Sequence, residues 1–569
     1  MIGVIVDQAQ TEVVREFFEL FKTPWQFYRE GGKYDVVLST ETFLVETTAP
    51  LVICYAGNKT DYDEGGDPRV GSLRSRSCLL SYRGHRIPIY GATVTFLENE
   101  AVLLKDIESQ ECLAYLRQLN KQAVVRVGYD LFGEIRTLLT SGQSAGNANS
   151  PTLDLHIAFL RDLITRSGLP LVEVPPLPGK YQFVACMTHD VDHPSLRLHK
   201  WDHTTFGFLY RAIFGSLRSV IRGRMPFRDL LKNWVAAAKL PLIHVGLAKD
   251  FWTEFADRYL ALETGLRSTF FVIPFKNHPG ENSRGPAPAF RAARYELQDI
   301  TRAIQKLKTA GHEVGLHGID AWRDSSSGRE ELEEIRRVTG DSEIGVRMHW
   351  LYYDEQSPVA LEKAGAVYDS TVGYNQTIGY RAGTTQVYKP LGASNLLELP
   401  LHAMDTALFC PDYLDLSPKQ AAHSLGQLTE NAAHFGGCLT INWHDRSTSP
   451  ERLWGTCYQD LLENLKIRGA WFATAREAVS WFRKRRTVQF EVDPNDITTV
   501  RARLAVAPDD AVPGLRLRIY GQRKLSGLNT HNSQDYVDVS IDEDTRRPWA
   551  ANSREQEEQS PLPRSRAVV

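Results

Sequence analysis

Polar side chains follow the apolar runs of this 569-residue chain at the positions where buried strands are expected to end. The clearest case is Asp190 and Asp192, which come shortly after the run at 183–187. Residues two apart on an extended chain point to the same side, so one carboxylate could bind a cation while the other transfers a proton. The alternative is an ordinary polar loop, because aspartate is common in loops.

Histidine, arginine and a further aspartate follow other apolar runs. They are His317 after 313–316, Arg347 and His349 after 343–346, Asp405 after 399–401, and His444 after 439–441. Histidine at a strand end can bind a metal or transfer protons. Because α/β proteins build their sites at the carboxyl ends of strands, these residues are expected to share one pocket. His312 precedes its strand and is expected at the opposite end.

The elements that must position these residues alternate between strand and helix from about 181 to 486. Strand-like runs lie at 183–187, 269–273, 313–316, 439–443 and 470–473, and helices fit 297–307 and 417–434. Repeated strand–helix units of this length predict an α/β fold with a parallel sheet, either open or closed into a barrel.

A proline-rich stretch at 170–179 predicts a domain boundary, because proline cannot donate to a sheet ladder and favours extended backbone before it. The chain is therefore divided into an N-terminal accessory α/β domain (1–172), the barrel (181–486) with a helical insertion (194–250), a small β-rich appendage (487–545) and a disordered tail (546–569).

Composition excludes several classes of protein. The 66 basic and 69 acidic residues leave a net charge of −3, which argues against a nucleic-acid binder. The seven cysteines contain no C-x-x-C pair, which argues against a disulfide framework or a cysteine zinc site. No apolar run is long enough for a spanning helix, and the first residues lack the pattern of a signal peptide. The expected location is the cytoplasm.

The predicted insertion interleaves arginine with apolar residues. Its arginines are Arg211, Arg218, Arg222, Arg224 and Arg228. These arginines can form a basic face that contacts only solvent. Alternatively, they can bind an acidic glycan or lipid head groups. Peripheral membrane association through residues 206–228 is therefore an open alternative.

The order of these motifs resembles the NodB-type polysaccharide deacetylases, carbohydrate esterase family 4, and is closest to the divergent branch associated with exopolysaccharide biosynthesis. The resemblance covers about 181–486. Its motifs are Asp190-x-Asp192, Gly-His-Glu-Val-Gly-Leu-His at 311–317, Arg347-x-His349, Glu398-Leu-Pro with Asp405, the stretch at 364–374, and the strand before His444. The resemblance implies a distorted (β/α) barrel and a divalent cation, usually zinc.

The resemblance also implies a role for each residue. By position, Asp190 is the general base, Asp192 and His317 are metal ligands, Arg347 orients Asp190, His444 protonates the leaving amine, and Asp405 tunes His444.

One position departs from the family pattern. The second metal histidine is expected four residues after His317, where this chain has Ala321. Catalytic zinc sites normally have three protein ligands. We expect His349 to replace the missing ligand, with Asp320 as the alternative. A third possibility is a site that binds metal weakly or not at all.

The expected function is a metal-dependent hydrolase that removes N-acetyl groups from the amino sugars of a poly- or oligosaccharide. Two alternatives stay open: a non-catalytic glycan-binding or assembly protein on a degenerate deacetylase fold, and an amidohydrolase acting on small molecules. The expected partner is an acetylated amino-sugar glycan.

Overall fold

The computed structural model describes residues 1–64, 70–75, 77–97, 101–119, 122–492, 499–504, 511–521, 536–541 and 544–548. Among these residues, the N-terminal part forms a mixed sheet of eleven strands in the order β2-β1-β3-β4-β11-β10-β9-β6-β7, with β8 on β10 and β5 on β8. The strands are β1 (Ile2–Ile5), β2 (Trp25–Phe27), β3 (Val36–Ser39), β4 (Leu51–Tyr55), β5 (Val70–Arg74), β6 (Cys78–Tyr82), β7 (His85–Ile89), β8 (Thr93–Phe96), β9 (Val102–Asp106), β10 (Cys112–Leu119) and β11 (Gln122–Val127).

Three helices accompany this sheet, and a short strand follows them. These elements are α1 (Thr11–Phe21), α2 (Leu131–Leu139), α3 (Thr152–Arg166) and β12 (Leu171–Glu173). Helix α1 places valine and phenylalanine at helical spacing, so one face is apolar and packs on the sheet. The same apolar cluster includes Val372 and Tyr388 of the following part, so the two parts share packing.

The central part contains a second sheet whose paired strands all run parallel, in the order β20-β19-β18-β17-β14-β13-β22-β21, with β23 also on β13. A separate hairpin joins β15 and β16. The strands are β13 (Phe183–Val191), β14 (Thr269–Val272), β15 (Glu281–Asn282), β16 (Gly285–Pro286), β17 (Glu313–Gly318), β18 (Val346–Met348), β19 (Tyr368–Asp369), β20 (Leu397–Glu398), β21 (Ala403–Met404), β22 (Cys438–Asn442) and β23 (Ala470–Phe472).

The two ends of the parallel sheet are joined by only four residues, 399–402. The amide of Leu399 donates to Asp369 O (2.8 Å), and that of Leu401 donates to Val372 O (2.9 Å). The amide of His402 donates to Thr440 O on the other side (3.0 Å). The sheet therefore curls into a distorted barrel closed through this irregular segment, and the predicted α/β barrel fold is confirmed.

Eleven further helices are described in this part of the chain. They are α4 (His203–Tyr210), α5 (Ser216–Ile221), α6 (Phe227–His244), α7 (Phe255–Leu262), α8 (Thr301–Thr309), α9 (Ser325–Thr339), α10 (Ser357–Ala364), α11 (Asp405–Phe409), α12 (Pro418–Phe435), α13 (Gly455–Ile467) and α14 (Ala475–Arg486). Local sequence sets several ends. Ser417 and Gln420 form a capping box before α12, and α9 ends at Gly340 in the left-handed conformation.

Strand β13 separates two apolar layers. Phe183, Ala185 and Met187 pack in the cluster that contains Tyr259 and Tyr458 of the surrounding helices. Val184 and Cys186 pack instead with Phe271, Tyr368, Leu399 and Cys438 from the barrel strands. Because successive side chains of a strand alternate between its faces, Asp190 continues the inner face and His189 the outer one.

The described C-terminal residues form five strands in two small sheets. They are β24 (Val488–Val492), β25 (Thr499–Leu504), β26 (Leu515–Tyr520), β27 (Tyr536–Ile541) and β28 (Asp544–Pro548). Strand β26 also pairs with β12, so the predicted boundary at 172 falls inside a strand. Strand β28 takes in the start of the predicted tail (546–569), and the rest of that tail lies outside the described residues.

Candidate metal centre and catalytic site

The functional side chains come from the carboxyl ends of adjacent barrel strands. Asp190 and Asp192 lie at the end of β13, His317 lies near the end of β17, and His349 directly follows β18. On the other side of β13, His444 lies two residues beyond β22, and Asp405 directly follows β21. Parallel pairing brings these ends together at one edge of the barrel.

Asp192, His317 and His349 offer three ligand atoms that all lie within 4.8 Å of one another. Asp192 Oδ1 is 3.4 Å from His317 Nε2 and 3.5 Å from His349 Nδ1. The two ring nitrogens are 3.0 Å apart. Among the described residues, Asp192 Oδ1 is buried without a hydrogen-bond partner.

The outer hydrogen bonds fix the tautomer of each histidine. His317 Nδ1 is 3.0 Å from Arg347 O, and His349 Nε2 is 3.0 Å from Arg291 O. A carbonyl oxygen only accepts, so these nitrogens carry the protons and the facing nitrogens present lone pairs. Burial lowers the pKa of His349 to about 3, which keeps the ring neutral. Two lone pairs and a carboxylate oxygen facing one another fit a cation, and such outer bonds are typical of metal-binding histidines.

Asp190 is held beside this group by Arg347 and Asn442. The fully buried Arg347 donates from Nη1 to Asp190 Oδ1 (3.2 Å), and its Nη2 donates to Ser370 Oγ (2.8 Å). Asn442 Nδ2 donates to Asp190 Oδ2 (2.8 Å), which lies 3.8 Å from His317 Nε2. The carboxylate therefore has a fixed orientation toward the candidate metal centre.

His444 and Asp405 form a second pair at the same edge. His444 Nδ1 is 2.6 Å from Asp405 Oδ1, and the His444 amide donates to Asp405 Oδ2 (2.7 Å). Burial alone would lower the pKa of His444, but the charge and hydrogen bond of Asp405 outweigh it and raise this pKa to about 9. His444 Nε2 faces Asp192 Oδ2 at 3.8 Å. The ring is therefore a cation at neutral pH and can donate a proton into the site.

Other histidines and carboxylates near the motifs lie elsewhere. His189 faces Glu263 on the outer layer (2.8 Å), and His193 Nδ1 lies 3.2 Å from His199 Nε2. His312 contacts Ser268 at the opposite end of the barrel, as expected. Asp320, the alternative ligand, is 2.9 Å from His278 Nε2 and accepts from the Glu281 amide.

Two residues of the site carried no prediction. Asn442 orients Asp190. It is the last residue of β22 and lies two positions before His444, which was a usable signal. Arg291 accepts from His349 through its carbonyl and donates through Nη2 to His349 O (2.8 Å). It lies in a loop between β16 and α8, where no spacing pattern marks it.

The aromatic residues near the motifs separate into core and rim. Trp443 is fully buried, and Tyr374 donates to Gln143 O in the N-terminal part. Trp350 packs on Phe290, with ring centroids 5.4 Å apart, and lies 5.9 Å from the His349 ring. Phe290 is exposed. The Trp350–Phe290 pair therefore forms an apolar rim next to the candidate centre.

Comparison with known proteins gives similarity only at the level of structure. No family model matches the chain, and no curated protein matches it. Among solved structures, a Mycobacterium smegmatis protein described as a polysaccharide deacetylase is 19% identical, over 55% of this chain and 95% of that one, with a TM-score of 0.34.

Of two other matching structures, one is described as an enzyme and the other as a pseudoenzyme. The peptidoglycan deacetylase PdaC from Bacillus subtilis is 11% identical over 55% of this chain and 95% of its own, with a TM-score of 0.23. A carbohydrate esterase family 4 pseudoenzyme from Bacillus anthracis is 11% identical over 54% of this chain and 68% of its own, with a TM-score of 0.25. At such low similarity, nothing about the activity of this chain follows from either match.

Proposed function

We propose that the chain is a metal-dependent hydrolase that removes N-acetyl groups from the amino sugars of a poly- or oligosaccharide. The observation that carries the proposal is the grouping of three potential metal-ligand atoms, from Asp192, His317 and His349, between an oriented carboxylate and a charged imidazole. Of these atoms, Asp192 Oδ1 is buried without a hydrogen-bond partner among the described residues. Two imidazole nitrogens and one carboxylate form a ligand set that suits zinc. Zinc is therefore the first ion to test.

The residues around the centre divide the chemistry of amide hydrolysis between them. A bound divalent cation would supply Lewis acidity, polarising the acetyl carbonyl and making water easier to deprotonate. Asp190, oriented by Arg347 and Asn442, accepts the proton of the attacking water. His444 gives its proton to the amide nitrogen as the carbon–nitrogen bond breaks. The water oxygen ends in acetate, and the sugar keeps a free amine.

Support for a sugar substrate comes from the rim and from the motif resemblance. The exposed Phe290 and the half-buried Trp350 present ring faces beside His349, and a pyranose ring can stack on such faces. The association with exopolysaccharide biosynthesis is part of the proposal and rests on the resemblance alone.

The test combines metal content with release of acetate from the purified full-length chain. Acetate is measured with N-acetylglucosamine oligomers, with the same oligomers lacking acetyl groups, and with a small acetylated amine. We expect close to one equivalent of zinc, and acetate from the acetylated oligomers only. His444→Gln should lower turnover by about 10²–10⁴-fold, as expected for loss of a general acid.

The matched control is His423→Gln, which removes an exposed histidine on α12 and should behave as the original chain. Acetate release from the small amine alone would favour the amidohydrolase. Bound zinc with tight retention of the oligomers and no acetate would favour the glycan-binding protein.

A further inference from the structure

The helical insertion presents an apolar outer face to solvent. Helix α4, the π-helical segment Arg211–Gly215 and helix α5 form one continuous rod, and α6 packs back against it. The buried side chains of both rods pack, together with Leu196 and Trp252, in a small apolar core. Its members are Leu196, Phe208, Ala212, Ala236, Ala237, Leu240, Ile243 and Trp252.

The exposed side chains of both rods are also largely apolar, where a surface helix normally carries polar residues. On the first rod, exposed apolar side chains recur every three or four residues, so they form a stripe. They are Phe206, Tyr210, Ile213, Phe214, Leu217 and Ile221. On α6 the same spacing gives Phe227, Leu231, Trp234, Val235, Leu242 and, just beyond its end, Val245. These two stripes are called the outer apolar face below.

The exposure of this face is large. Ile221 is 77% exposed, Phe214 63% and Phe227 62%. Isolated apolar side chains at a surface need no explanation, but two stripes of large ones on helices that pack against each other mark an interaction site.

Positive charge surrounds the outer apolar face, although the chain as a whole is slightly acidic. Between residues 203 and 244 the sequence holds seven Lys and Arg residues and only one acidic residue, Asp229. Asp229 pairs with Lys232, and Arg224 pairs with Asp415. Arg218, Arg222 and Arg228 are exposed beside the stripes. The partner should therefore combine an apolar phase with negative charge.

From this combination we infer that the outer apolar face docks on the surface of an anionic lipid bilayer. A helix lying in the interface buries its apolar side chains among the acyl chains and keeps its basic side chains at the head groups. A soluble acidic partner would match the arginines but not two stripes of phenylalanine, leucine and isoleucine. No helix in the described part of the chain is both long and apolar enough to cross a bilayer.

The docking face continues toward the candidate site through a series of aromatic contacts. The ring of His203, at the start of α4, lies 5.6 Å from Phe290. Phe290 in turn packs on Trp350 at the rim of the site. A chain docked by this face would hold the site next to glycans at the lipid surface.

The test is sedimentation of the full-length chain with two kinds of vesicle, one of phosphatidylcholine alone and one containing phosphatidylglycerol. We expect sedimentation with the anionic vesicles. The double variant Phe214→Ser, Ile221→Ser should weaken vesicle binding at least about tenfold, because burying each apolar side chain of this size contributes to the free energy of binding. The double variant Arg218→Gln, Arg222→Gln should weaken binding by about thirtyfold and make it less dependent on salt concentration.

Matched controls keep the same chemical changes at other surfaces. Ile467→Ser with Val537→Ser removes two exposed apolar side chains, and Arg302→Gln with Arg337→Gln removes two exposed arginines on α8 and α9. Both controls should sediment as the original chain does. His444→Gln should do so too, since docking does not depend on the proposed activity.

Several results would overturn the inference. One is the absence of sedimentation with anionic vesicles. Another is an equal loss of binding in the control variants. A third is self-association that depends on protein concentration and is abolished by Phe214→Ser with Ile221→Ser while vesicles bind nothing, which would identify a second copy of the chain as the occupant.

Discussion

Two buried clusters of histidine and carboxylate groups lie on opposite faces of strand β13, and only one of them is satisfied. On the outer face, Glu263 Oε1 is 2.8 Å from His189 Nε2, and Glu263 Oε2 accepts from Ser268 Oγ (2.7 Å). His189 Nδ1 lies 2.7 Å from Trp443 O. Both partners of this ring are acceptors. Burial alone would raise the pKa of Glu263, but the charge and hydrogen bond of His189 outweigh it and lower this pKa.

The inner cluster has the same residue types, but within the part of the chain that the structure describes its hydrogen bonds leave one carboxylate oxygen without a partner. His317 and His349 each donate to one carbonyl and turn a lone pair toward Asp192, whose Oδ1 has no partner among the described residues. A buried polar group left unsatisfied costs free energy, so a protein retains such a group where a ligand completes it. The two clusters therefore differ in their hydrogen bonding and not in residue type or burial. The hydrogen bonding is what identifies the inner cluster as a candidate site and the outer one as a structural network.

The largest expected effect on either side is the loss of the proposed base. Asp190→Asn keeps the shape of the side chain, but the amide has one acceptor oxygen where the carboxylate has two, and it cannot take a proton from water. We expect turnover to fall by about 10²–10⁴-fold, measured as acetate release at saturating substrate. Circular dichroism at the assay temperature should show the folded protein. Near-normal turnover would remove Asp190 from the proposed mechanism.

The matching change in the outer cluster should affect stability and leave chemistry alone. Glu263→Gln removes the carboxylate charge that faces His189 in a fully buried site. Breaking one partner of a buried pair costs about 3–5 kcal/mol of unfolding free energy, measured by urea denaturation. Turnover of the protein that remains folded should be unchanged. A loss below about 1 kcal/mol would mean that the outer cluster is not an ion pair.

Removal of a ligand atom from the inner cluster should weaken metal binding. His349→Ala deletes one of the three facing groups, so zinc affinity should fall by more than the roughly 10–100-fold that loss of a supporting hydrogen bond costs. Competition with a chromophoric chelator measures this change. His423→Ala, on the exposed face of α12, is the control. Unchanged zinc affinity in His349→Ala would mean that His349 does not replace the metal ligand missing at Ala321.

The sequence could predict the fold and the positions of the site residues, but not their hydrogen bonds. The strand runs and their order predicted an α/β fold with a parallel sheet, because buried parallel strands are continuous apolar segments. Its closure into a barrel was predicted from the motif resemblance. The motifs pointed to Asp192, His317 and His349, which the fold brings together. The hydrogen-bonding state of each group was out of reach, since His189 and Asp190 are neighbours whose partners lie 74 and 252 positions away. Arg291 was missed for the same reason.

The pH dependence should separate the charged from the neutral histidine. His444 has a pKa of about 9 because Asp405 outweighs burial, so activity that needs its proton should decline as the pH rises through this value. The sign for stability is the same: a raised pKa contributes fully below about 6.5, and the contribution is lost as the pH rises through the folded-state pKa. Asp405→Asn removes the raising charge and should move the alkaline limb of turnover to lower pH. An unmoved limb would assign it to another group.

The smallest expected effect concerns Asp320, which lies at the same edge of the barrel and is already bonded. Its Oδ2 is 2.9 Å from His278 Nε2, and its Oδ1 accepts from the Glu281 amide (2.9 Å). In Asp320→Asn the amide oxygen can keep the bond from Glu281, so we expect zinc affinity and turnover within about twofold of the original chain, since no metal ligand changes. A loss as large as that of His349→Ala would make Asp320 the third ligand. In that case a position at the carboxyl end of the strands would be enough to identify a site residue. A carboxylate that already has hydrogen-bond partners could then still bind the metal.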